Sequence, residues 1–366
     1  MSRDGSYGKG EVSDTVLADI ERRFTGFAVP EGTFDPSTAT ADQLMKFGLP
    51  PKPDPECQPL LRRAWDIGFG KPLRLQAFEV ERDLVEQAEY RLFEKQVANI
   101  SFDGNNFEIS SNWSGAYITA NQDKHFLQVW GTWTVPGNLR MPPQHLQGPP
   151  GIPYVCANWI GLDGQRLYLD SSLPQMGTVS VLQPDNTTTA QAWTQWWARD
   201  SVDPAPVPLG LSVTPGDRIL SVLTASDPTT VNCVMVNLTP NPPIAIVAQA
   251  SAPTVVLSDG TNVQPSIAGA TAEWIVERPR VPNPQPGQPP TAYNFADYGH
   301  TEFELCVAVE GDSVDVSSLS SGLPQELRGA RRIRMFDVLV NPARTEFISM
   351  PRKLNDTAIR VKYGSF

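Results

Sequence analysis

The hydrophobic periodicity of this chain changes once, near residue 106, and that change constrains the fold more than any other feature. From Val12 to about Lys95 the spacing is helical: Val16, Leu17, Ile20 and Phe24 recur at i, i+1, i+4 and i+8, and Val80, Leu84, Ala88 and Leu92 repeat every four residues. Between these stretches Thr40 and Gln43 have the spacing of a capping box, and Gly48 and Pro50 stop the short helix they open. After about Asn106 the period becomes two, as in FLQVWGTWTV (Phe126 to Val135) and RILSVLTA (from Arg218), each bounded by turn residues. The expected organisation is a helical region over 1–105 and a mainly β domain over 106–366. With no internal repeat, a two-sheet β-sandwich is the favoured architecture.

Composition supports strands over helices. Among 366 residues, 35 prolines and 27 glycines imply many turns and short connections. The Pro-rich stretches MPPQHLQGPPGIP (from Met141) and RPRVPNPQPGQPP (from Arg278) are unsuited to central strands and read as surface loops. A net charge of -11 argues against a nucleic-acid partner, because the average surface field repels a polyanion. No stretch approaches 20 apolar residues and the start MSRDGSYGKGEVSDTVLADIERRF lacks an apolar core, so neither a membrane span nor a secretory signal is expected. Cys57, Cys156, Cys233 and Cys306 lie far apart without metal-ligand spacing and are expected to be free buried thiols, with one long-range disulfide as the alternative. His125, His145 and His300 sit in no local nucleophile motif.

Three segments carry side chains suited to chemistry. In TAEWIVERP (Thr271 to Pro279), alternation puts Glu273, Ile275 and Glu277 on one face and Trp274 and Val276 on the other. Taken alone, that pattern is also what a half-exposed strand with two solvated glutamates would show. In WIGLDGQRLYLDSSLPQMG (from Trp159), a turn at Asp163 and Gly164 leads into a strand whose Leu169, Ser171, Leu173 and Gln175 share a face. In AWTQWWA (from Ala192), Trp193, Gln195 and Trp197 align on one side, as core or as the wall of a cleft.

These segments belong to a longer collinear series. NWSGAY (Asn112 to Tyr117), VWGTWTVP (Val129 to Pro136), WIGLDG (Trp159 to Gly164), LPQMG (Leu173 to Gly177), AWTQWW, PGDRI (Pro215 to Ile219), VNLT (Val236 to Thr239) and AEWIVE (Ala272 to Glu277) occur in the order seen in the glutamic peptidases, the eqolisin or peptidase G1 family. The chain from about Ser110 onward resembles that family. The resemblance implies two large antiparallel sheets in a concanavalin A-like architecture, a polypeptide substrate on a concave face, and no metal or other cofactor. It assigns Glu273 and Gln175 as the catalytic pair. By position it makes Trp159, Asp163, Trp193, Gln195 and Trp197 their neighbours, with the indoles restricting water and Asp163 tuning the charge on Glu273.

The residue types suit the reaction. An ionised Glu273 takes a proton from the attacking water and returns it to the leaving nitrogen. The Gln175 amide, neutral at any working pH, holds the water through its oxygen and donates N–H to the developing oxyanion. The chain departs from the family where a Glu is usual at Gln195 and an acid is usual at Val179. Fewer carboxylates then oppose ionisation of Glu273, and a milder pH optimum is expected. The resemblance also implies secretion, which the N-terminus does not echo, so location is left open. In the family the place of residues 1–105 is held by a removable pro-segment, and Arg62, Arg63, Lys71 and Arg74 are the groups expected to oppose an acidic cleft; a structural cap is the alternative. The competing function is a non-catalytic carbohydrate- or peptide-binding module, with Trp193 and Trp197 as stacking surfaces. A glycosidase would instead pair Asp163 with Glu273.

Overall fold

The computed structural model describes residues 14–81, 83, 85, 92, 107–148, 150–164, 172–198, 206–256, 260–281, 292–337 and 346–364. The N-terminal part carries helices α1 (Asp14–Arg23), α2 (Ala41–Lys46) and α3 (Pro59–Phe69), interleaved with short strands β1 (Phe24–Gly26), β2 (Thr33–Phe34) and β3 (Leu73–Gln76). Then come β4 (Phe107–Ser110), β5 (Trp113–Thr119), β6 (His125–Thr134), β7 (Tyr154–Leu162), β8 (Ser172–Leu182), β9 (Thr188–Ala198), β10 (Val207–Pro208) and β11 (Arg218–Asp227). The run continues through β12 (Thr230–Asn237), β13 (Ile244–Ser251), β14 (Val255–Val256), β15 (Asn262–Val263), β16 (Thr271–Glu277), β17 (Asn294–Phe295) and β18 (His300–Gly311). It ends with β19 (Leu323–Gln325), β20 (Arg331–Asp337), β21 (Glu346–Asn355) and β22 (Ala358–Tyr363). The fold is mainly β, as the period-two pattern requires.

One series of paired strands runs β19–β18–β6–β11–β12–β13. A second runs β20–β5–β16–β7–β8–β9–β10. Strand β18 joins them, since its first residues pair with β22 and the rest with β6. Among the described residues, twenty strands thus form one hydrogen-bonded network. It is mixed rather than purely antiparallel: β3 on β13, β4 on β20 and β17 on β7 are parallel pairings. All three bring together segments far apart in sequence, where no tight turn dictates direction.

The two series pack face on face where β6 meets β7 and β16. A side chain at Gly131 would touch Ile160 and Trp274, and the Trp274 indole donates to the Trp130 carbonyl (2.7 Å). The other face of β6 is covered by α3: Phe69 stacks edge-on against Trp130, with centroids 6.2 Å apart, and Gly68 lies over Leu220. Trp65 and Phe69 are fully buried there, which ties the N-terminal part to the main core.

The N-terminal part is not purely helical. The helix opened by Thr40 forms with both capping-box bonds present, and Gly48 has a φ of +67° just beyond it. But β1 and β3 both extend the sheet from β13. At three and four residues they are too short to register as a period. The expected helix through Leu84 and Ala88 lies largely outside the described residues. Arg62 pairs with Asp66 (2.9 Å) on α3, and Arg74 lies on β3 beside β13. Arg62 therefore belongs to the α3 layer over β6 and β11, whereas Arg74 lies in the sheet itself, beside β13. Three cysteines are buried free thiols, as expected, while Cys57 is free but exposed.

Candidate active site

Register brings the expected residues together. Glu273 on β16 is the direct partner of Tyr117 on β5 and Gly161 on β7; Gly161 is the partner of Gln175 on β8, and Gln175 of Gln195 on β9. Directly paired residues on neighbouring strands project to the same face. Glu273, Gly161, Gln175 and Gln195 therefore form a transverse row, with Glu273 and Gln175 two strand spacings apart, about 10 Å between backbones. Only a glycine stands between them. A methyl group at Gly161 would come within 2.8 Å of Leu173 and 3.0 Å of Trp159. Gly161→Ala is expected to destabilise the protein by about 1–3 kcal/mol through overpacking and to lower turnover, measured by urea denaturation alongside the activity assay.

The row lies on its own apolar face. Trp113, Tyr117, Trp159, Leu173, Val179, Trp193, Trp197 and Ile275 share its parity and form a cluster separate from the main core, in which Ala116, Ile160, Met176, Trp196, Ala272, Trp274 and Val276 take part from the opposite face. Both faces of these strands are thus covered. This corrects the solvated reading of TAEWIVE, because Glu273 and Glu277 are each 0% exposed. Leu92 also belongs to the smaller cluster and is fully buried in it.

Each polar side chain has a distinct setting. Gln175 donates from Nε2 to Gln195 Oε1 at 2.8 Å, and its backbone carbonyl accepts from Thr194 Oγ1 at 3.1 Å. Its Oε1 is buried without a hydrogen-bond partner among the described residues. Trp159 packs edge-on against Trp113 (4.9 Å between centroids) and donates its indole N–H to Glu277 Oε2 at 2.8 Å, so it holds Glu277 rather than Glu273. Leu169 and Ser171 lie outside the described residues.

Asp163 takes a different place from the one expected. Its carboxylate accepts the backbone N–H groups of Ala268 (2.7 Å), Gly269 (3.2 Å) and Ala270 (2.6 Å). Burial pushes its pKa up to about 6, against the pull of those amides. With its oxygens committed to the backbone, it is not free to serve as a second glycosidase acid. The sequence reading missed Tyr117 and Glu108. Tyr117 flanks Glu273 on the side away from Gln175 and donates its phenol to Glu108, which also lies 3.7 Å from Arg331. NWSGAY held the Tyr, but only the register of β5 on β16 shows its neighbour. A surface cavity lined by Leu327, Ala330, Arg332 and Lys353 touches Ala116, on the opposite face of β5, and contains neither Glu273 nor Gln175. Among the described residues no group of three His, Cys, Asp or Glu side chains is placed to hold a metal.

The Peptidase A4 family model matches residues 111–325, which span the whole row. The chain belongs to the Peptidase A4 family. That membership places it among peptide hydrolases and agrees with the glutamic-peptidase motifs. Solved structures similar to it include Scytalido-glutamic peptidase with a peptide-based transition-state analogue, 18% identical, covering 69% of this chain and 98% of that one, with a TM-score of 0.48. SCP-B, an eqolisin-family peptidase in complex with the tripeptide Ala-Ile-His, is 20% identical over 69% of this chain and 98% of its own, with a TM-score of 0.47. Aspergilloglutamic peptidase from Aspergillus niger is 18% identical over 57% of this chain and 99% of its own, with a TM-score of 0.40. No curated protein matches the chain.

Proposed function

We propose that this Peptidase A4 chain is a glutamic endopeptidase, with Glu273 as general base and acid and Gln175 as the oxyanion donor, on a two-sheet sandwich of the concanavalin A-like kind. The observation that carries the reading is the row itself: a carboxylate and an amide project from the same buried face on either side of a glycine. With Gln175 Nε2 donating to Gln195 Oε1, one N–H on Nε2 is left for an oxyanion and the unpartnered Oε1 for a water. A polypeptide carbonyl placed over Gly161 would meet both groups. Gln195 carries no charge at any pH, which supports activity in a mildly acidic range rather than a strongly acidic one. The test is cleavage of a denatured protein from about pH 2 to pH 8 by the full chain. Folded protein that binds such a substrate without cutting it would turn the reading into a peptide-binding module; a profile peaking below about pH 4 would remove the argument from Gln195.

Residues 1–105 act, in this reading, as a cap on a catalytic domain spanning 106–366. Strand β3 and helix α3 anchor the cap to the sheet, while Leu92 reaches the aromatic face around the row. Removing the whole cap would bare Trp130 and Leu220, so a point change is the cleaner probe. Leu92→Glu places a charge where burial is costly and is expected to drive this side chain off that face. Initial rates on an unfolded polypeptide are expected to rise about fivefold or more as the competent fraction grows. Unchanged rates would mark Leu92 as part of a permanent wall.

A further inference from the structure

Every backbone hydrogen-bonding group of the turn before β16 is accounted for. The three successive N–H groups of Ala268, Gly269 and Ala270 converge on the Asp163 carboxylate, a concave amide cradle of the kind that binds anions. On the carbonyl side, Ala268 O meets His125 Nδ1 (2.7 Å), Gly269 O accepts from Phe126 N (2.7 Å) and Ala270 O accepts from Ala120 N (3.0 Å). The next carbonyl, Thr271 O, accepts from Asp163 N at 2.9 Å. Gly269 has a φ of +63°, and a side chain there would collide with Phe126 O at 2.6 Å. Asp163 itself has a φ of +65°, a conformation that Asp tolerates better than most residues. The turn is therefore wedged between β5, β6 and the end of β7, and its shape is set by one carboxylate.

The position of this clamp matters for the row. Asp163 follows Gly161, the shared partner of Glu273 and Gln175, by two residues. Glu273 follows the clamped Ala270 by three. From these contacts we infer that Asp163 is a positioning residue for the peptidase reaction: through the 268–270 turn it fixes where β16 starts, and so holds Glu273 in line with Gln175. The inference rests on the peptidase reading.

An ionised carboxylate suits three N–H donors, whereas a protonated one turns an O–H toward them and weakens the cradle. Burial favours that proton, with the change centred near pH 6. Among the described residues, the titratable groups that reach the turn are Asp163 just past β7 and His125 at the start of β6, with Glu273 farther along β16; just past β5 the Ala120 backbone takes part, and Glu310 of β18 holds the adjacent Asn121. In wild type, kcat should rise with pH through about 6 as Asp163 ionises.

The experiment compares full-length wild type, Asp163→Asn, Gly269→Ala, His125→Gln and Glu273→Gln in peptide hydrolysis across that range, with thermal melts of each. Asp163→Asn is expected to lower kcat about 10- to 100-fold at neutral pH, the usual consequence of a small misplacement, with KM little changed and the rise near pH 6 gone. Gly269→Ala, which disturbs the turn but keeps the carboxylate, should lose kcat and retain that rise; it carries the test if Asp163→Asn does not fold. A scaled-down but unshifted profile in Asp163→Asn would show a merely structural residue and overturn the inference. So would a rise that vanishes in His125→Gln and persists in Asp163→Asn. Full activity in Glu273→Gln would instead overturn the assignment of Glu273 on which the inference rests, whatever Asp163 does.

Discussion

Glu273→Gln is expected to lower kcat for peptide hydrolysis by about 100- to 10,000-fold, the range for removal of a general acid–base group, with the fold and its melting temperature nearly unchanged. The substitution keeps the size and planarity of the side chain on β16 and takes away its ability to accept a proton. Because Glu273 is fully buried, the neutral amide avoids the desolvation that an ionised carboxylate must overcome, so stability should hold or rise slightly. A drop in activity of less than about tenfold would remove Glu273 from the chemistry.

Gln175→Ala is expected to cost about 100- to 1000-fold in kcat, or roughly 3–4 kcal/mol of transition-state stabilisation, as for loss of one oxyanion donor. KM should move little, since the donor acts on charge that develops only in the transition state. The loss separates chemistry from packing when set beside Gln195→Ala. That change removes the acceptor of the Gln175 N–H at 2.8 Å but leaves the amide in place; it should reduce turnover less, through looser orientation. Steady-state kinetics on one peptide substrate, with circular dichroism on each variant, provides the comparison. Equal losses in both variants would mean that Gln175 matters only as one half of a buried amide pair.

Much of this site was legible in the residues. Strict alternation in TAEWIVE separated Glu273 and Glu277 from Trp274 and Val276, and AWTQWWA separated Trp193, Gln195 and Trp197 from Trp196, as the two clusters bear out. Alternation says which side chains share a face and nothing about what covers it. That is why the glutamates could be read as solvated, when a second apolar cluster with Leu92 lies over the same strands. The role of Asp163 was hidden for another reason: its partners lie 105 to 107 residues away along the chain, and no local pattern encodes contacts of that range. Tyr117 escaped in the same way, being adjacent to Glu273 only through strand pairing. In the N-terminal part, α2 was marked by its cap, whereas β1, β2 and β3 were too brief to show a period and owe their conformation to β13 and to one another.

The placement of Glu273 and Gln175 by strand register, with Gly161 as their common partner, also bears on how such a chain tolerates change. A one-residue insertion or deletion inside β7, β8 or β16 would turn the downstream side chains to the opposite face and dismantle the row at a stroke. Added or lost residues in the connections, including the Pro-rich stretch after Arg278, leave that register untouched. Length and surface can therefore drift widely while this row stays in step, provided the extra residues never enter those three strands.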